Sequence, residues 1–342
     1  YPFILLQVVV GMVAIVSKLK TRYLSDYFRS LLYIGIAYTL VFLSLELLRT
    51  GNLFAVVSRQ GVLIEEGLRW PTLGWIWLNI FLTLLSYPLI PLLGKVFGLT
   101  SDITLMELSD LDNPLLKKLS LLANGTLQHS MQVANLSEAA AKAIGANALL
   151  VKVAALYHDI GKIKQAEYYI ENQNNANPHD LMDAKQSAQI IIDHVREGVA
   201  LAKKNRLPQI LIDFIWTHHG TTTVAYFYRK YQQKHPDKKL DEADFSYPGP
   251  LPSSKEQAIL MIADSLEAAS KSLQSPTEQQ INDLVDQIIQ GKITMGQLIN
   301  TSLSFRELEQ IKVVFKRLLK SINHVRIEYP GANENSETSQ DI

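Results

Sequence analysis

The chain contains no cysteine. Disulfides and thiolate metal sites are excluded, so any metal must be held by His, Asp, Glu or water. Net charge is absent too: 33 Lys and Arg balance 33 Asp and Glu. That balance argues against the basic footprint a nucleic-acid binder needs, so neither DNA nor RNA is expected as a partner. Strand-like alternation of apolar and polar residues is scarce, which points away from β structure and toward an all-α fold. No internal repeat is visible. The chain opens at Tyr1, inside an apolar run, and reads as a piece of a longer protein. No basic n-region precedes that run and no cleavage site follows it, which argues against a signal peptide.

Long apolar runs are present, and they crowd the first hundred residues. Tyr1 to Ser17 carries no charge, Ser30 to Leu48 carries only Glu46, and Pro71 to Leu93 is a third run. Each approaches the length of a bilayer-crossing helix, so residues 1–95 are expected to hold three spans, at 1–17, 30–48 and 71–93. Trp70, Trp75 and Trp77 open the third run as an interfacial belt would, and Pro88 and Pro91 predict its kink or early end. Lys18, Lys20, Arg22 and Arg29 place the first loop in the cytoplasm. Everything after Lys95 is then cytoplasmic, and Asn52 to Arg69 faces outward as an interfacial helix or hairpin. A multi-pass membrane protein, with the bilayer as a partner, is the expectation.

The remainder reads as a helical soluble domain. Residues 96–124 form a connector, with Ser101 capping one short helix and Asn113-Pro114 opening another. The main domain, 125–330, begins with a helix from Gly125 to Ile144 that stops at Gly145, followed by one from Asn147 to His158. Asp183 to Asn205 is long and amphipathic, and Pro208 opens a helix ending at His219-Gly220. Capping boxes are expected at Ser254 with Gln257, Ser275 with Glu278, and Ser304 with Glu307. The polar tail, 331–342, lacks apolar anchors and is expected to be disordered.

Five of the eight histidines sit where an apolar helix face ends or turns: His129, His158, His194, His218 and His219. Asp159 follows His158 directly, with Gly161 to release the backbone and Lys162 to place a cation alongside. Asp264 lies inside the apolar stretch Ala258 to Ala269, where a carboxylate needs a cation or several donors. Adjacent helical residues point about 100° apart, so His218 and His219 can share an ion only at a helix end, which Gly220 supplies. Seven such ligands exceed one coordination sphere and suit two ions with a shared carboxylate. Imidazole and carboxylate without sulfur suit Fe, Mn, Co, Ni or Zn, so two divalent transition metals are expected.

These residues resemble those of the HD-domain metal-dependent phosphohydrolases. The likeness is closer to the membrane-bound branch, the seven-transmembrane HD phosphodiesterases that cleave cyclic di-AMP. It rests on Gly125 to Ser130, Leu156 to Lys162, Glu171-Asn172-Gln173, Asn177-Pro178-His179 and Tyr247 to Pro250, and covers residues 95–330 and the three runs. Two departures stand out. Ala123-Asn124-Gly125-Thr126 replaces the family's Ala-Pro-Gly-Thr, which predicts a looser turn before His129. After His218-His219 neither the Glu nor the Gly-Tyr-Pro motif of the cyclic di-GMP branch appears.

The resemblance implies hydrolysis of cyclic di-AMP to pApA. It assigns His129, His158, Asp159 and Asp264 to one metal, and Asp159, His194, His218 and His219 to the other. Asp159 and Lys162 are the expected catalytic residues. Lys162, Asn172, His179 and Tyr226 are the expected substrate contacts. Dimerisation through the connector or the final helices is a further expectation. The rival readings are an HD hydrolase of another nucleotide and a nucleotide receptor with little turnover.

Overall fold

The computed structural model describes residues 2–18, 24–50, 70–85, 93–94, 97, 100–173, 177–237, 241–273 and 275–324. The expectations for Lys20, Arg22, Pro88, Pro91, the segment from Asn52 to Arg69 and the tail lie outside these residues. Two compact units divide at Leu99 and Thr100.

The first unit holds α1 (Pro2–Lys18), α2 (Leu24–Thr50) and α3 (Trp70–Leu85). Among the described residues one helix, α2, is long and apolar enough to cross a membrane, over Phe28–Leu45. Ile4–Val16 and Gly74–Leu85 are shorter apolar stretches. These helices turn large apolar side chains outward: Ile4, Met12 and Ile15 on α1, Leu32 and Leu40 on α2, Trp75 and Phe81 on α3. An apolar exterior of that kind marks a surface meant to be covered. Gln7 accepts a hydrogen bond from the Tyr38 hydroxyl across α1 and α2. A Cβ at Gly35 would lie 2.8 Å from Ile80, so glycine permits the close approach of α2 and α3.

In the second unit, α4 (Asp102–Leu108) and α5 (Pro114–Leu122) precede α6 (Asn124–Ile144) and α7 (Ala148–Tyr157). The chain then runs through 3-10 turns at Ile160–Tyr168, Ile170–Asn172 and Pro178–Leu181. Next come α8 (Ala184–Lys204), α9 (Gln209–Thr217), α10 (Ala225–Lys234), α11 (Lys255–Ser270), α12 (Glu278–Thr294) and α13 (Phe305–His324). The unit is helical as expected, and Thr223 and Ser246 form only an isolated bridge. From Leu150 to Tyr157, α7 is buried on every side except at Lys152, as suits a central helix apolar all round. Val133 and Leu136 of α6, Phe214 of α9 and Ile259 and Leu260 of α11 share its apolar cluster, which Phe315 of α13 joins from the side of α6.

Residues of α4 and α5 belong to this core. Leu105, Leu115, Leu116 and Leu119 join the same apolar cluster, and the Tyr157 hydroxyl donates to the Leu108 carbonyl. Several ends follow the expected chemistry. Gly145 takes a left-handed φ of 70° after α6, Asn147 caps α7, and Asp183 caps α8. Ser304 and Glu307 close a reciprocal box at α13. Two boxes differ. At α12 the reciprocal pair is Thr277 with Gln280, because Pro276 and Ser275 lie outside the helix. At α11 Ser254 caps Gln257, but the Gln257 carboxamide turns back to the Ser253 N–H.

Gly161 also has a different reason from the one expected. Its φ is not left-handed; a Cβ there would lie 1.9 Å from the His194 carbonyl oxygen and 2.5 Å from the Gly198 nitrogen. Glycine lets the turn after α7 lie directly on the backbone of α8. Gly220, by contrast, does take a left-handed φ of 54° and ends the helix carrying the His pair.

Candidate metal centre

The ends of α7 and α9, the second turn of α6, the middle of α8, and α11 converge on one buried point. His158 and Asp159 follow the last turn of α7, and His218 and His219 follow α9. Asp159 lies between two groups of imidazoles. Its Oδ1 is 3.2 Å from His194 Nε2 and 3.7 Å from His218 Nε2. Its Oδ2 is 3.3 Å from His158 Nε2 and 3.6 Å from His129 Nε2. Asp264 divides its oxygens in the same way: Oδ1 is 3.0 Å from His129 Nε2 and 3.6 Å from His158 Nε2, while Oδ2 is 3.6 Å from His219 Nδ1.

The backbone decides which ring nitrogen faces inward. His158, His194 and His218 each turn Nδ1 to the carbonyl three residues earlier, at 2.7, 2.5 and 2.8 Å. A carbonyl only accepts, so Nδ1 carries the proton and the Nε2 lone pair points into the site. His129 does the same through the Glu267 carboxylate, which bonds its Nδ1 and is itself tied to Lys271 at 2.7 Å. His158 Nε2 and Asp159 Oδ1 are buried and have no hydrogen-bond partner among the described residues. His194 Nε2 faces His218 Nε2 at 3.1 Å. Convergent lone pairs in a buried pocket need a cation, and two clusters present three ligand atoms each: His129, His158 and Asp159; His194, His218 and His219. The residues therefore fit a pair of metal ions.

Without a cation, protons balance the carboxylates. Burial opposes charge on His158, but Asp159 and Asp264 outweigh it and push the imidazole up to about 10. Burial, reinforced by charge on His158 and His194, pushes His218 down to about 3. Burial would raise the Asp159 carboxyl, yet His158 and Lys162 hold it well below the usual carboxylate range. Lys162 lies 2.7 Å from Asp159 Oδ2 and 2.9 Å from Glu171 Oε1, and these two carboxylates overcome burial to raise its amine well above normal. Two carboxylates thus balance Lys162, and it holds the oxygen that faces His129 and His158.

The other expected substrate contacts are placed differently. Asn172 is turned inward: its Oδ1 accepts from the Thr126 N–H at 3.1 Å, and its Nδ2 donates to Thr126 Oγ1 at 2.9 Å. It serves the start of α6, where Ala123 offers no side-chain cap. The turn before His129 is consequently held rather than loosened, since Thr126 Oγ1 also donates to Glu171 and Gly125 lies against the Glu171 carbonyl. His179 is buried with Nε2 on the Tyr168 carbonyl and its ring 5.0 Å from Phe227. Its surroundings make it a packing residue, and it does not line the cavity holding Asp159. Tyr226 is 68% exposed, beside Lys230, and lines neither cavity at the centre.

Sequence reasoning passed over Glu267, and it named Tyr247 only within the stretch that carries the resemblance, with no role of its own. Glu267 follows Asp264 by three residues on α11, and that spacing is the signal that could have found it. Tyr247 stacks on His219 with ring centres 4.2 Å apart, a contact between distant segments that no local pattern announces.

A buried centre of paired imidazoles and carboxylates at helix ends is the arrangement of a helical domain able to hold metal ions. The HD domain matches residues 126–269. The crystal structure of the Listeria monocytogenes phosphodiesterase PgpH HD domain in complex with cyclic-di-AMP is 45% identical, with a TM-score of 0.60. The match covers 64% of this chain and 100% of that one. The chain belongs to the HD domain family. Cyclic-di-AMP phosphodiesterase PgpH of Listeria monocytogenes serotype 1/2a (strain 10403S) is 44% identical over 248 residues, 72% of this chain and 34% of that protein. The same enzyme of Bacillus subtilis (strain 168) is 44% identical over 247 residues, again 72% and 34%. The chain thus spans about a third of the length of the curated relatives it matches.

Proposed function

We propose that this chain carries the catalytic domain of a cyclic di-AMP phosphodiesterase that opens the ring to pApA. The observation that carries the reading is Asp159, whose two oxygens face two separate histidine groups. His129, His158, Asp159 and Asp264 hold one ion and Asp159, His194, His218 and His219 the other, with iron or manganese as the native pair. When bound, such a pair supplies an activated water and a clamp on the phosphoryl oxygens. The chain's own residues do the rest. Carbonyls and Glu267 fix the imidazole tautomers, Lys162, itself held by Glu171, orients the Asp159 carboxylate, and Lys162 would add positive charge beside the reacting phosphate.

The reading extends to the first unit. Its three apolar helices span a bacterial inner membrane, the domain after Lys95 faces the cytoplasm, and the membrane part regulates turnover. Assembly as a homodimer belongs to the same reading. Metal analysis of the purified chain, paired with product analysis on cyclic di-AMP, tests the core of the proposal. Two metals per chain and pApA as product are expected, with Asp159→Ala inactive. Wild-type turnover by Asp159→Ala would sink the assignment. Turnover confined to another member of a panel of cyclic and linear nucleotides would favour a different HD hydrolase. Tight binding of uncut nucleotide by a metal-free protein would favour a receptor.

A further inference from the structure

Two cavities meet at the metal centre. One, of about 510 Å³, is lined by His129, Asp159, Lys162 and His194. The other, of about 960 Å³, lies toward α12 and is lined by Thr221, Tyr228, Arg229, Lys292 and Gln297. They share His219, Tyr247, Asp264 and Ala268 as a common wall. A substrate that places one phosphate at the centre must extend its remaining parts into such adjoining space.

The cations of the two cavities differ in how they are matched. In the smaller one, Lys162 is paired with Asp159 and Glu171, and Lys271 with Glu267. In the larger one, Lys292 makes no ion pair among the described residues. The register of α12 puts it there. Ile281, Val285 and Ile289 are buried at a spacing of four, and Lys292 follows Ile289 by three on the same side. Its amine is therefore carried toward the interior instead of into solvent. Burial pushes its pKa down, and the one charge opposing this is Asp264, already engaged by His129. A half-buried amine without a matched carboxylate is unfavourable until an anion joins it. Glu242, a carboxylate in the same lining, is occupied by the Thr223 hydroxyl at 2.8 Å.

We propose that Lys292 holds the second, uncut phosphate of the cyclic dinucleotide, in the larger cavity beside Asp264. The assignment rests on the cyclic dinucleotide reading given above. It makes Lys292 a substrate-binding residue selective for molecules with two phosphates, separate from Lys162 at the reacting one.

The test compares two substrates on the full chain, purified and loaded with Mn²⁺: cyclic di-AMP, and bis(p-nitrophenyl) phosphate, which has a single phosphate. Lys292→Met keeps the length and apolar stem but removes the charge. Its loss in kcat/KM for cyclic di-AMP is expected to exceed its loss for bis(p-nitrophenyl) phosphate at least about tenfold, with most of the excess in KM. Lys292→Arg is expected to recover most of that difference. Equal losses on both substrates, or Lys292→Arg as selective a loser as Lys292→Met, overturn the assignment. Because the readout is a ratio, a general defect in folding or metal loading cancels and counts against the proposal only if the ratio stays at one. A wild-type chain that cleaves bis(p-nitrophenyl) phosphate but neither binds nor cleaves cyclic di-AMP overturns the substrate reading, and this proposal with it. A wild-type chain that cleaves cyclic di-AMP, with an unaltered ratio in Lys292→Met, overturns the Lys292 assignment alone.

Discussion

Gly161→Ala is the substitution through which the close contact behind the His-Asp pair can be measured. The added methyl would start 1.9 Å from the His194 carbonyl oxygen and 2.5 Å from the Gly198 nitrogen, where an ordinary contact needs about 3.4 Å. The turn and α8 must separate by about 1.5 Å to relieve the first of these. Both partners are backbone, so no side chain can swing away, and the cost falls near the upper end of overpacking, about 3 kcal/mol. In a domain of this size each kcal/mol lowers Tm by about 2–4 °C, so a fall of about 6–12 °C is expected. The shift also moves the residue that carries His194, whose Nε2 lies 3.2 Å from Asp159 and 3.1 Å from His218. Loss of that alignment should weaken metal binding about 10- to 100-fold, as loss of a supporting contact typically does. Thermal unfolding followed by circular dichroism, with metal content by plasma emission, reads both effects. A Gly161→Ala protein that melts within about 1 °C of wild type and keeps its full metal complement would refute the close-approach argument.

Further substitutions test the other links. Glu267→Gln weakens the bond that orients His129, so a chelator should strip the metal at about 10- to 100-fold lower concentration while Tm of the apo protein changes little. Thr277→Ala removes the capping box of α12 and should lower stability by about 1 kcal/mol in urea unfolding; no change would mean the helix end is held by packing alone. Lys255 and Ser304 hold the Glu307 carboxyl down to about 2. That contribution is present above the unfolded value near 4.5 and is lost as pH falls through about 2. The gap in urea midpoint between wild type and Glu307→Gln should therefore close below about pH 4 and stay open at neutral pH. His179→Leu should lower Tm yet leave the KM for cyclic di-AMP within about twofold; a KM rise of tenfold or more would restore His179 as a substrate contact.

The residues of the buried centre were legible because each sits at a helix end or on an apolar face, where a His or Asp contradicts its surroundings. His218-His219 before Gly220, and Asp264 inside Ala258 to Ala269, are contradictions of that kind, and local chemistry alone raises them. The helix ends at Asn113, Asn147, Asp183 and Ser304 were legible for the same reason, since a cap bonds residues two or three positions away. Absence of cysteine confined the metal to nitrogen and oxygen before any fold was known. Tertiary structure decided what depends on pairs far apart in the chain. It gave Asp159 one oxygen for each histidine group, paired Lys162 with Glu171, turned Asn172 inward to serve α6, and withdrew His179 into packing. It also explained Gly161 by the backbone of α8 instead of by its own dihedrals. A residue's type and local spacing fix what it can bind. Which partner reaches it, and whether its charge is already matched, depends on the packing of helices that the local sequence does not contain.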